Sequence, residues 1–272
     1  MSLLLARERF RAIAAQADKD IDLATAALVI AQEEYPSLDI EAYLQQLDQM
    51  AVIVEAKLPA ERYPLRVVKA INAYLYDELG FVGNTSDYYD PRNSFLNDVL
   101  ERRTGIPITL ALVYLEIARR IGFPMVGVDM PAHFLIRPDI PDVEFLVDAF
   151  HRGEVMFAAD CQQRLTEIYG QPVTFNPRFL ERSTPRRFLA RLLSNLKMIY
   201  LSQENWHKAL AAVERILLLF PEVSMQRRDR GLIYYQLGNW IDARLDLQAY
   251  LEAEPTAQDA PVIEHLLRRM SQ

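Results

Sequence analysis

The stretch Gly105-Ile-Pro-Ile-Thr-Leu-Ala-Leu-Val-Tyr-Leu-Glu-Ile-Ala-Arg-Arg-Ile-Gly-Phe-Pro124 is a helix read straight from the residues. Gly105 breaks the chain, and Pro107 suits a first helical turn, where its missing N–H would have no partner anyway. Apolar residues continue to Ile121, and Gly122-Phe123-Pro124 stops the run. Strand-like segments follow at Met125–Met130, His133–Arg137 and Glu144–Phe150. Pro131, Pro138-Asp139 and Pro141-Asp142 punctuate them, so the connections are short and an antiparallel meander is expected. No other part of the chain reads convincingly as β.

Upstream, Leu3–Ala15, Asp22–Glu34, Ile40–Lys57 and Pro64–Glu78 carry apolar residues at three- and four-residue intervals, the mark of amphipathic helices. Asp39 is placed to cap the third, and Gly80 to end the fourth. A polar, aromatic loop from Phe81 to Ser94 comes next, with Asn93 or Ser94 expected to cap a helix over Phe95–Arg103. Downstream, residues 151–184 contain Gly153, Gly170, Pro172 and Pro177, which limit any helix; they are expected to wrap the first domain and lead to a second. From Pro185 the pattern is helical to Arg269.

That last part repeats. Trp206 and Trp240 lie 34 residues apart, and Tyr200 recurs as Tyr234, Ala209 as Ala243 and Pro221 as Pro255. An interval of 34 residues is one tetratricopeptide unit, a helix-turn-helix that stacks and presents a concave surface to a partner. Gly231 and Gly238 complete the second unit, whereas Lys197 and Glu204 stand at those places in the first. Asp259–Met270 reads as the closing helix. Two units are fewer than the three or so that usually stand alone, so the array is expected to lean on the N-terminal domain. The reading is therefore α+β and mostly helical: residues 1–184 a helical region with a small antiparallel sheet, residues 185–272 the repeats.

Composition bounds the function. An apolar fraction of 51% with 25% charged residues is that of a globular protein with ample core. A net charge of −7 argues against direct binding of nucleic acid, which needs a basic footprint. The first residues are apolar too briefly for a signal peptide, and no apolar run approaches membrane-spanning length, so a cytoplasmic protein without a membrane partner is expected. Cys161, the single cysteine, cannot form an internal disulfide.

The central stretch resembles the nucleophile helix of the transglutaminase-like superfamily, which shares its fold with papain-type cysteine proteases. Arg119, Gly122 and Pro124 match the end of that helix, Gly105 matches the family glycine, and His133 and Asp148 fall at the catalytic histidine and aspartate positions. Pro107 occupies the place of the cysteine. From Asp22 to Pro255 the chain is similar to bacterial transglutaminase-like proteins with C-terminal tetratricopeptide repeats, which include the Sir B-type regulators of invasion genes. The most specific portions are Tyr88–Leu100, Gly105–Leu110, Pro131–Leu135 and Val147–Gly153.

The resemblance implies a thiolate at a helix N-terminus, a histidine to take its proton and an aspartate to orient the imidazole. Proline offers no nucleophile, so His133 and Asp148 are expected as a residual dyad. Tyr89, Arg92, Asn93, Pro107 and Thr109 are candidates to line the cleft, with the Thr109 hydroxyl expected to bond back to its own helix. Cys161 follows both dyad residues in sequence and is not expected to replace the missing thiol. His151, His207 and His265 are scattered without metal-ligand spacing, so neither metal nor cofactor is expected. The function these features imply is a non-catalytic scaffold or regulator that holds a protein or peptide. The alternative is a hydrolase or amidase using His133, Asp148 and a non-cysteine nucleophile or water.

Overall fold

A computed structural model describes residues 2–270. The chain divides into two compact units, one up to Phe188 and the other from Leu189.

The first unit begins with α1 (Ser2–Ala14), α2 (Leu23–Ala31), α3 (Ile40–Lys57) and α4 (Pro64–Asn72). Asp22 and Asp39 cap α2 and α3 by accepting from backbone N–H groups of their first turns. The fourth helix differs from the continuous one that periodicity suggests: after Asn72 it widens into a π-helical segment, Ala73–Glu78. The segment buries Tyr74, Leu75 and Tyr76, and such widened turns are common where a helix must present side chains to a functional region. A two-residue strand β1 (Val82–Gly83) then pairs in parallel with β2 (Thr104–Gly105). This pairing has no hydrophobic signature and was invisible to a reading by alternation.

Between β1 and β2 lies α5 (Leu96–Arg102). Its N-cap is Phe95, with no side-chain cap, so the expected cap from Asn93 or Ser94 is not made. The central helix α6 (Pro107–Arg120) is buried on almost every side, as its nearly uninterrupted apolar run requires. It packs against α2, α3, α4 and α5, and against strands β3 (Met125–Val128) and β4 (Leu135–Pro138).

With β5 (Leu146–Asp148) and β6 (Glu154–Met156), those strands form an antiparallel sheet in the order β3-β4-β5-β6. The meander expectation holds for three strands; the fourth was hidden because it is short and starts on Glu154. The segment after it also contains a helix, α7 (Ala158–Tyr169), which fits between Gly153 and Gly170, two of the residues expected to limit any helix there. Gly170, at φ 66°, ends α7 and does not prevent it. Cys161 and Leu165 of α7 lie in the core with Val128, Met130, Leu135, Leu146 and Met156. The chain then returns to the sheet, where the Ser183 N–H donates to the Gly127 carbonyl at 2.8 Å.

The second unit holds most of α8 (Pro185–Ser202), then α9 (Trp206–Leu219), α10 (Ser224–Gln236), α11 (Trp240–Ala253) and α12 (Ala260–Arg269). Its two units repeat in backbone as well as in sequence. Asn205 and Asn239, each one residue before a tryptophan, cap α9 and α11 with nearly equal dihedrals: φ −85°, ψ 74° and φ −85°, ψ 73°. Gly238 turns the chain at φ 74°, and Glu204, its counterpart 34 residues earlier, adopts the same left-handed conformation at φ 56°. Gly231 lets α10 approach α11, since a Cβ there would lie 2.8 Å from Leu247 Cγ. At the matching place in α8, Lys197 is buried and neutralised by Asp229 at 2.6 Å. Ala209 and Ala243 are buried at the helix crossings, Tyr200 is buried and Tyr234 half-buried, and Pro221 and Pro255 sit in the exposed turns. The closing helix α12 packs Ile263 against Leu247 and Tyr250.

Two substitutions of opposite sign follow. Glu204→Gly removes a side chain from a left-handed position and is expected to stabilise the second unit by up to about 1 kcal/mol. Gly231→Ala crowds Leu247 and is expected to destabilise it by about 1–3 kcal/mol. Urea unfolding of the full chain, followed by the two tryptophans of this unit, measures both.

Candidate functional site

The resemblance puts the family cleft at the α6 N-terminus, and the side-chain hydroxyl of that first turn is engaged. The Thr109 hydroxyl, fully buried, donates to the Asn93 carbonyl at 2.7 Å and accepts from the Ile106 N–H at 3.1 Å. It does bond back to its own turn, three residues upstream, and it also anchors the loop before α5. Pro107 is buried beside it and adds no donor.

The loop itself is closed by a polar network. Asn84 donates from Nδ2 to Asn93 Oδ1 at 3.1 Å, and Asn93 Nδ2 donates to the Asp87 carbonyl at 2.7 Å. Asn93 is thus a buried strut and not a cleft-lining group. Arg92 pairs with Asp90 at 2.7 Å, and Arg102 approaches the same carboxylate at 3.4 Å. Tyr89 is exposed, as a cleft residue should be, with its ring 5.4 Å from that of Tyr88.

Tyr88 leads to the histidines. Its ring lies 6.2 Å from Phe150, and Phe150 lies 6.2 Å from His133 and 5.1 Å from His151, all edge-to-face. Phe150 packs so closely on Gly83 that a Cβ there would fall 2.6 Å from the ring. Gly83 is the register partner of Gly105, two residues before Pro107. The β5–β6 turn is thereby held against the strand that feeds α6. Tyr88 and Phe150 were not expected as site residues; the aromatic run of the loop was the available signal.

Asp148 ends β5 with no exposed surface. Its Oδ2 accepts from His133 Nε2 at 2.8 Å and from His151 Nδ1 at 2.8 Å. Its Oδ1 accepts from the backbone N–H groups of Phe150 at 3.0 Å and His151 at 3.2 Å. Burial by itself would raise this carboxyl, but the hydrogen bonds from His133 and His151 outweigh it and hold the group well below the carboxylate range. Nε2 of His133 is the nitrogen that faces the carboxylate.

His151 belongs to this site, which corrects the view of it as a scattered histidine. The sequence shows only that it follows Asp148 by three residues; the turn folds its ring back onto the carboxylate. Arg164 of α7 borders the cluster. One of its guanidinium nitrogens lies 2.9 Å and 3.1 Å from the two ring nitrogens of His151, and the other binds Glu154 at 2.7 Å.

The π segment and α4 support the turn from the opposite side. Tyr76 donates to the Ala149 carbonyl at 3.0 Å, and Asn72 Nδ2 donates to the Gly153 carbonyl at 2.8 Å. Cys161 lies in the core beneath, its thiol pushed up to about 11 first by burial and then by Asp160 and Asp148. At neutral pH it is a protonated, enclosed thiol and no nucleophile.

Residues 41–194 match the transglutaminase-like superfamily. The chain belongs to that superfamily. Residues 196–268 match the tetratricopeptide repeat. A bacterial relative, the UPF0162 protein of Xylella fastidiosa, is 37% identical over 255 residues, covering 92% of this chain and 90% of the relative. The UPF0162 protein of Vibrio cholerae is 28% identical over 257 residues, covering 93% and 95%. Human F-box only protein 21 is 30% identical over 240 residues, which span 84% of this chain but 36% of that longer one. No solved structure matches. Within the matched region His133 and Asp148 are hydrogen-bonded at 2.8 Å, and Pro107 stands in the first turn of α6.

The depressed Asp148 carboxyl fixes a pH dependence. Its stabilisation is fully present above the unfolded aspartate value of about 4 and is lost as pH falls through the folded value, below it. The unfolding free energy of the native chain is expected to exceed that of Asp148→Asn by at least about 1 kcal/mol at pH 7. The gap should narrow steadily below about pH 4. Denaturant unfolding of both chains between pH 3 and 7 checks this, and a gap independent of pH would contradict it.

Proposed function

We propose that this protein is a non-catalytic transglutaminase-like scaffold that holds a protein or peptide partner through its tetratricopeptide repeats and the aromatic rim of its former cleft. The observation that carries the proposal is Pro107 at the nucleophile position, beside a Thr109 hydroxyl already committed to Asn93. A dyad with nothing to activate does not by itself cleave or transfer an acyl group. The rim offers Tyr88, Tyr89 and Phe150, rigid aromatic side chains that bind peptide at low entropic cost.

The repeats supply a second surface. On α11, Trp240 is 59% exposed, Ile241 77% and Leu245 61%. Ile241 and Leu245 lie one helical turn apart, so they share a face. The same domain recurs inside the longer F-box only protein 21, as a portable binding module would. The likeness to Sir B-type regulators extends the proposal to a partner in a regulatory complex within the cytoplasm. The acidic charge makes that partner a protein and not nucleic acid.

The test compares partner recovery by the full chain, after crosslinking in cells that express it, with recovery by Ile241→Asp/Leu245→Asp. The double variant is expected to recover the partner at least about tenfold less, equivalent to about 1.4 kcal/mol of binding. Equal recovery would remove this face from the account. In parallel, the chain is expected to show no hydrolysis of amide or ester substrates; turnover abolished by His133→Ala would establish the enzymatic alternative.

A further inference from the structure

The His133, Asp148 and His151 side chains converge more tightly than an orienting pair requires. One ligand atom from each of the three lies within 4.8 Å of the other two. Both histidine nitrogens are 2.8 Å from the same carboxylate oxygen. We propose that these three side chains form a binding site for a divalent transition-metal ion, with zinc the best fit.

The donor set is the first argument. Two imidazoles and one carboxylate are a known zinc complement, and three protein ligands leave a coordination position for water or another ligand. Imidazole donors favour zinc and its neighbours over magnesium or calcium, which take oxygen ligands.

The support around the ligands is the second. Asp148 Oδ1 is held by the backbone N–H groups of Phe150 and His151, so Oδ2 is presented in one direction as a monodentate ligand. His133 is only 5% exposed, and its backbone N–H donates to the Met130 carbonyl at 3.1 Å. His151 is the adjustable member, with its side chain 41% exposed on the turn.

The geometry needs a small change. Zinc bonds of about 2.0–2.1 Å in a tetrahedral shell separate neighbouring ligand atoms by about 3.3 Å. Each nitrogen therefore recedes from the carboxylate oxygen by about half an ångström as the ion enters. The nitrogen of each imidazole that binds the ion gives up any hydrogen it carries, to the other ring nitrogen or to solvent.

Arg164 makes the site distinctive. Its guanidinium rests against the His151 ring and stands 3.9 Å from Asp148 Oδ2, where its charge opposes a second cation. Entry of the ion requires Arg164 to give up the ring and stay with Glu154, to which it is already bound. An arginine so placed lowers the affinity of the free protein, and removing it should raise that affinity. A purely structural hydrogen-bond network gives no such effect. The site is independent of the scaffold reading, since it requires no partner and no chemistry on a substrate.

The experiment titrates zinc into the untagged, chelator-stripped full chain in competition with a chromophoric chelator. One equivalent of zinc is expected to bind. His151→Ala, at the exposed ligand, is expected to weaken binding at least about tenfold, and Arg164→Ala to strengthen it severalfold. Circular dichroism confirms that both variants keep the native helical signal. No stoichiometric binding by the native chain overturns the proposal. So does binding that His151→Ala leaves intact, or that Arg164→Ala fails to strengthen.

Discussion

The buried carboxylate of Asp148 is the constraint on which the first unit depends. A charge without solvent is costly, and here four hydrogen bonds meet that cost: two from imidazoles and two from backbone N–H groups. Those same bonds fold the β5–β6 turn, orient the ring of His133 and bring His151 onto the cluster. The turn in turn places Phe150 on Gly83, and Gly83 pairs with the strand that enters α6. One side chain thus ties the end of the sheet to the start of the central helix.

The His133–Asp148 pair has a structural role of its own. The dyad does not need a thiol to justify it physically, because it satisfies a buried charge and orders a turn. Pro107 suits the first turn of α6 as well as a cysteine would, and Thr109 takes over the task of anchoring the neighbouring loop. Around the cluster stand the aromatic side chains of Tyr88 and Phe150.

In the second unit the governing constraint is repetition. Glu204 adopts the left-handed turn of Gly238, and the charged Lys197 occupies the slot of Gly231 by pairing with Asp229. The repeat is therefore preserved in backbone where it has decayed in residue type. The two prolines that follow α9 and α11 were legible, since turns are local; the asparagine caps at Asn205 and Asn239 came only with the structure. The charge pairing of Lys197 was not legible either, because its partner lies on another helix.

The sequence by itself determined the helices of both units apart from α7, three of the four sheet strands, the repeat interval and the candidate pairing of His133 with Asp148, the last through family resemblance. These are written in periodicity, in capping residues and in motif order, all short-range signals. It did not reveal the π segment after Asn72, the parallel β1–β2 pairing, α7, or the burial of Asn93. Least of all did it reveal His151, whose value lies in a turn that reverses its ring onto a carboxylate three residues back. Those features depend on which distant groups can satisfy a buried polar atom. Only the packed tertiary structure settles that, because the cost of an unpaired buried group is set by neighbours the local sequence does not contain.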